Sequence, residues 1–94
     1  MKLLSDPIRF EWDAGNKDKN FRKHSVTNED CEEVFIDPHK RIAKDVLHSG
    51  KEERYILVGF TKKQRLLFII FTMRQNRIRV ISARDMAKKE RNLL

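Results

Sequence analysis

The sequence predicts a single α+β domain spanning 1–94: two N-terminal helices, an antiparallel β-meander and a C-terminal helix. Three observations carry this expectation. Ninety-four residues suit one domain with one core. A capped amphipathic stretch ends at Pro38, in the first half. Apolar segments joined by short polar turns fill the second half, which is the signature of hairpins.

The elements follow in order. Ile8-Arg9-Phe10-Glu11-Trp12 alternates apolar and polar, as a short strand does. Asp13 is a good N-cap, so a helix is expected from about Ala14 to His24, laid on a sheet through Phe21. Thr27 can cap a second helix, with Asp30 three residues on completing a capping box. Cys31, Val34 and Phe35 form its apolar stripe, and Cys31 reads as a small core residue. Pro38 ends it.

Lys40 to Val46 is a weak outer strand, and Arg54 to Phe60 a strong one. His48 to Glu53 between them reads as an exposed loop. Leu66 to Met73 is apolar at nearly every position, so a central strand covered on both faces is expected. Arg74-Gln75-Asn76 makes the next turn. Ile78 and Val80 then share one face, and Arg77, Arg79 and Ile81 the other. Ala83 to Leu94 sets Met86, Ala87 and Leu93 against Lys88, Lys89 and Arg91 and reads as a terminal amphipathic helix.

Composition narrows the function. Hydrophobic residues make up 39% of the chain and charged residues 37%, enough for a core and too apolar for a disordered chain. The longest apolar run, Leu66–Phe71, is far short of the roughly 20 residues a membrane-spanning helix needs. Residues 1–7 have no signal-peptide core, and Cys31 is the only cysteine, so a reducing, cytoplasmic setting is expected. Net charge is +7, unevenly spread: residues 1–48 carry net −1 and residues 49–94 net +8. A one-sided basic surface suits a polyanion such as nucleic acid, or an acidic protein.

The chemical candidates are few. His24, His39 and His48 are far apart in sequence and no Cys/His pair has ligand spacing, so neither metal nor cofactor is expected. No phosphate-binding glycine loop or nucleophile elbow is present. What remains is Lys23-His24, closing the first expected helix where positive charge meets the negative end of the dipole, and the arginines 74, 77, 79 and 84. Arginine's planar fork fits phosphate.

Phe10-Glu11-Trp12-Asp13, Asn20, Lys23-His24, Val34-Phe35 with Asp37-Pro38, Glu53-Arg54 with Gly59, and Arg79-Val80-Ile81-Ser82-Ala83-Arg84 with Glu90-Arg91 together resemble the BrnT family of toxins. The likeness runs from Phe10 to Arg91. The chain departs from the family's pattern at Asn16, where Lys is usual, and at Ser25, where Gly is usual. It also lacks the family's Tyr near the C-terminus. The resemblance implies a RelE-like fold and a ribonuclease toxin of a type II toxin–antitoxin pair, which inhibits translation and growth. It implies a neutralising BrnA-type antitoxin with a ribbon-helix-helix domain. Operator DNA would then be bound through that antitoxin, in a hetero-oligomer holding two toxin copies.

Metal-independent RNA cleavage uses the substrate's own 2′-hydroxyl as nucleophile. It needs a base, an acid and cations for the phosphorane. On this reading His24 and Glu53 are candidates for proton transfer, Lys23, Arg54, Arg79 and Arg84 for charge stabilisation, and Arg74 and Arg77 for RNA contact. The alternative is a non-catalytic nucleic-acid-binding module that uses the basic hairpin for phosphate contact alone.

Overall fold

The computed structural model describes Leu4 and residues 7–93. The expectations for the first six residues, and for Leu94, lie largely or wholly outside these. Two helices and four strands follow in the order α1 (Lys19–His24), α2 (Asn28–Phe35), β1 (Arg41–Lys44), β2 (Arg54–Phe60), β3 (Leu66–Arg74) and β4 (Arg77–Asp85). A short 3-10 helix, Lys88–Leu93, closes the chain. The strands form one antiparallel sheet in sequence order, β1-β2-β3-β4. No helix among the described residues is long and apolar enough to cross a membrane.

The core lies between one sheet face and α2. Cys31, Val34 and Phe35 of α2 pack on Leu57 of β2, on Leu67, Ile69 and Phe71 of β3, and on Ile78, Val80 and Ala83 of β4. Aromatic edges add directional contact, with Phe35 at 5.0 Å from Phe71 and 5.2 Å from Phe10. The α2 capping box forms as expected: Asp30 N–H donates to Thr27 Oγ1 and Thr27 N–H to Asp30 Oδ2. Burial pushes the Cys31 thiol up to about 12, so it is an inert core group.

Four sequence expectations are corrected. The first helix begins at Lys19, because the Asp13 carboxylate takes Gly15 N–H and Arg79 and does not cap a helix. Phe21 is 54% exposed, and Asn20 is the residue α1 buries. Beyond the Phe10 bridge to Ile78, β4's outer edge needs polar partners, and α1 and the turn before it supply them. Asn20 Oδ1 accepts from Ala83 N–H, Asn16 Nδ2 donates to Val80 O, and Lys19 Nζ donates to Ile81 O. The C-terminal helix is only the 3-10 segment, since β4 stays paired with β3 through Asp85.

The fourth correction concerns β3. Leu67, Ile69 and Phe71 on its helix-facing side are buried, but Phe68 and Ile70 on the other face stay partly exposed. Among the described residues no second layer covers them.

Candidate nucleic-acid-cleaving site

The open face is built by register. Partners across an antiparallel ladder share a face. Val58, Phe68 and Arg84 therefore form one row, Ile56, Ile70 and Ser82 the next, and Arg54, Thr72 and Arg79 a third. Arg79 and Arg84 are five residues apart, so a regular strand would point them to opposite faces. A bulge in β4 opposite Ile70/Phe71 resets the alternation. It keeps Ile78, Val80 and Ala83 in the core and brings both arginines to the open face.

A cleft of about 490 Å³ opens on this face. Ile56, Phe68 and Ile70 make its apolar floor, and Arg54, Ser82 and Arg84 its polar rim. The β1–β2 loop contributes Asp45, Leu47 and His48, and Glu90 of the 3-10 helix borders it too. A neighbouring hollow of about 520 Å³ against β1 shares Ile56 but offers only Arg41 as a charged group. Of these two, the first holds most of the charged groups.

Each cation has a different standing. The Arg54 guanidinium has no hydrogen bond or ion pair among the described residues. Arg84 lies 4.5 Å over the Phe68 ring and is gripped by Glu90 at 2.7 and 2.8 Å. Arg84, with Ala87 N–H behind it, holds the Glu90 carboxyl down at about 2. Arg79 reaches the open face, but its charge is already taken. It donates to Glu11 Oε1 at 2.8 Å and to both Asp13 oxygens at 2.7 and 3.0 Å, and is 14% exposed. A Cβ on Gly15 would sit 2.8 Å from Arg79 Nη2, so a glycine there lets the turn close over the guanidinium.

The remaining candidates lie apart from the cleft lining. Arg74 is bound by Glu52 at 2.6 Å. Arg77 is exposed beside the β3–β4 turn. Glu53 binds Lys44 and the Tyr55 hydroxyl, on the side toward which Tyr55 stacks on Phe71. That is the helix side, opposite Arg54. Lys23 and His24 are exposed at the end of α1, where Arg65 holds the His24 and Ser25 carbonyls.

Two residues that the sequence reading passed over belong to the cleft. His48 Nδ1 lies 3.0 Å from both Asp45 carboxylate oxygens. The Asp45 side chain is 9% exposed and that of His48 69%. Ser49 Oγ donates to Asp45 O at 2.6 Å and accepts from Arg54 N–H at 3.0 Å, tying this pair to the start of β2. The sequence signal was local: Asp45 and His48 stand three apart in a turn followed by Ser49. Among the described residues no group of three or more His, Cys, Asp or Glu is placed to hold a metal ion.

The family model described as the ribonuclease toxin BrnT of type II toxin–antitoxin systems matches residues 12–90. A search of curated proteins finds no match.

Proposed function

The chain belongs to the BrnT family of ribonuclease toxins of type II toxin–antitoxin systems, and we propose that it cleaves RNA in the cleft on the open sheet face. The observation that carries this reading is the pairing of Arg54 and Arg84 above an apolar floor. Ile56, Phe68 and Ile70 offer flat apolar surface to nucleobases, and the two guanidiniums offer forked donors to a phosphate. Arg54 needs no rearrangement to bind one. Arg84 must first exchange Glu90 for it.

Cleavage runs by attack of the 2′-hydroxyl on the adjacent phosphorus, without a metal ion. Arg54 and Arg84 offset the charge that builds on the phosphorane oxygens. The whole chain acts as one toxin domain in the cytoplasm, where the loss of RNA stops translation and growth. Its antitoxin is of the BrnA type, with a ribbon-helix-helix domain that carries the complex to operator DNA. Dimerisation of that domain gives a hetero-oligomer with two toxin copies. An acidic antitoxin segment over Arg54, Arg77 and Arg84 would exclude substrate phosphates, and such contacts weaken with salt.

Purified protein incubated with RNA and EDTA tests the reading. The expected products are 5′ fragments ending in a 2′,3′-cyclic phosphate, or its hydrolysis product, and 3′ fragments with a 5′-hydroxyl. Fragments with 5′-phosphate and 3′-hydroxyl ends, or activity abolished by EDTA, would overturn it.

A further inference from the structure

We infer that His48, held by Asp45, is the general base that takes the proton from the attacking 2′-hydroxyl; the inference rests on the RNA-cleavage reading above. Three observations carry it. Nδ1 is 3.0 Å from both oxygens of a carboxylate whose side chain is almost fully buried. In the neutral ring this contact places the proton on Nδ1 and leaves the Nε2 lone pair open. The imidazole itself is 69% exposed and borders the cleft that holds Arg54 and Arg84. An orienting carboxylate, an imidazole with one nitrogen free, and cations for the developing charge are the parts a proton transfer at phosphate needs.

The surrounding bonds serve the same geometry. Asp45 N–H donates to Arg54 O at 2.8 Å, and Ser49 Oγ bridges Asp45 O and Arg54 N–H. His48 N–H donates to Asp45 Oδ1 at 3.3 Å. The loop is thus fixed to the strand that bears Arg54. No described residue packs on the exposed ring in a way that makes His48 a core group.

In the step, the Nε2 lone pair takes the 2′-hydroxyl proton as the 2′-oxygen bonds to phosphorus. The bond from phosphorus to the 5′-oxygen then breaks, and that oxygen takes a proton from water. The products are a 2′,3′-cyclic phosphate and a 5′-hydroxyl. Imidazolium forms beside the Asp45 carboxylate and returns its proton to solvent. Asp45 is a positioning residue, because it acts only through His48.

Single-turnover cleavage by His48→Gln tests this, with Arg54→Ala beside it. General base loss costs about 10²–10⁴ in rate, so kcat should fall by about 10²–10³ while Kd for uncleavable 2′-O-methyl RNA stays unchanged. The defect should persist on RNA whose 5′ leaving oxygen is replaced by sulfur, since a thiolate needs no acid. Rescue on that substrate would make His48 the acid and overturn the assignment. Full activity in His48→Gln, with Arg54→Ala impaired, would overturn this inference alone. Wild-type protein that leaves RNA intact would overturn the cleavage reading and the inference together. Nitrogen NMR of the neutral ring gives a readout for Asp45 that needs no substrate. The proton should sit on Nδ1 in the native protein and redistribute toward Nε2 in Asp45→Asn. A native ring carrying its proton on Nε2 would contradict the proposal.

Discussion

Replacing Glu90 with Gln should tighten RNA binding, although it removes a contact from the folded protein. Glu90 occupies both prongs of the Arg84 guanidinium at 2.7 and 2.8 Å, where a phosphate would bind. The two side chains are 38% and 18% exposed, so the pair is partly screened by solvent. Exposed pairs contribute about 0.2–1 kcal/mol, and the two-pronged geometry places this one near the top, about 1 kcal/mol. RNA must displace that contact in the native protein but only a neutral amide in the variant. The gain is therefore about fivefold in Kd. If Arg84 then takes one more phosphate, the plot of log affinity against log salt should steepen by about 0.7. Fluorescence anisotropy with 2′-O-methyl RNA over a salt series reads both quantities. Glu29→Gln makes the same charge change on an exposed position in the first turn of α2 and serves as control. The double variant Arg84→Ala/Glu90→Gln should lose the gain. If Glu90→Gln binds no tighter than Glu29→Gln, with the same slope, Arg84 does not contact RNA phosphate.

Three further outcomes follow from the same contacts. Asn20→Ala leaves the Ala83 N–H without its buried acceptor, which costs about 1–3 kcal/mol; thermal unfolding should show a Tm lower by several degrees, and an unchanged Tm would mean that α1 does not seal this edge. Cys31, pushed up to about 12 by burial, should resist thiol reagents at pH 8 until denaturant is added, and rapid native labelling would contradict the packing of α2. Because the Glu90 carboxyl is lowered from 4.5 to about 2 by Arg84, its contribution to stability is complete above pH 4.5 and fades as pH falls toward 2. Denaturant curves should therefore show the stability gap between native protein and Glu90→Gln constant at neutral pH and closing in acid; a gap unchanged down to pH 2 would refute the linkage.

Local signals were legible and distant partners were not. The β3–β4 hairpin could be read because Ile78 and Val80 alternate with arginines and because Gln75-Asn76 suits a turn. Both of those turn residues have positive φ, 49° and 63°, where Asn fits more readily than most residues. The second helix was legible because its capping box closes within four residues. The first helix misled because Asp13 has a stronger use 66 residues away, on Arg79. Phe21 misled because the neighbouring strand edge needs hydrogen-bond partners, which Asn20 can supply and a phenyl ring cannot.

The site divides in the same way. Arg84 emerged from the charge pattern and the family resemblance, Arg54 from the resemblance alone, and the structure places both in the cleft. Arg74 and Arg79 carried the same signal, but Glu11, Asp13 and Glu52 hold them, and no periodicity encodes a long-range ion pair. Glu53 and Arg54 could be separated by alternation alone, since neighbours along a strand point to opposite faces. The apolar stretch of β3 suggested cover on both sides, yet Phe68 and Ile70 are the floor of the cleft. A hydrophobic position reports only that something apolar belongs against it.

The central claim is that the open sheet face cleaves RNA, and Arg54 tests it most directly, because its guanidinium has no hydrogen bond or ion pair among the described residues to lose. Single-turnover cleavage by Arg54→Ala should be compared with that by Lys62→Ala, which removes one charge from the exposed turn before β3. Loss of one phosphate-stabilising donor costs about 10²–10³ in rate. The account predicts that loss in Arg54→Ala, at an unchanged Tm, and near-native cleavage in Lys62→Ala. Equal rates in the two variants would contradict it and place the reaction elsewhere on the protein.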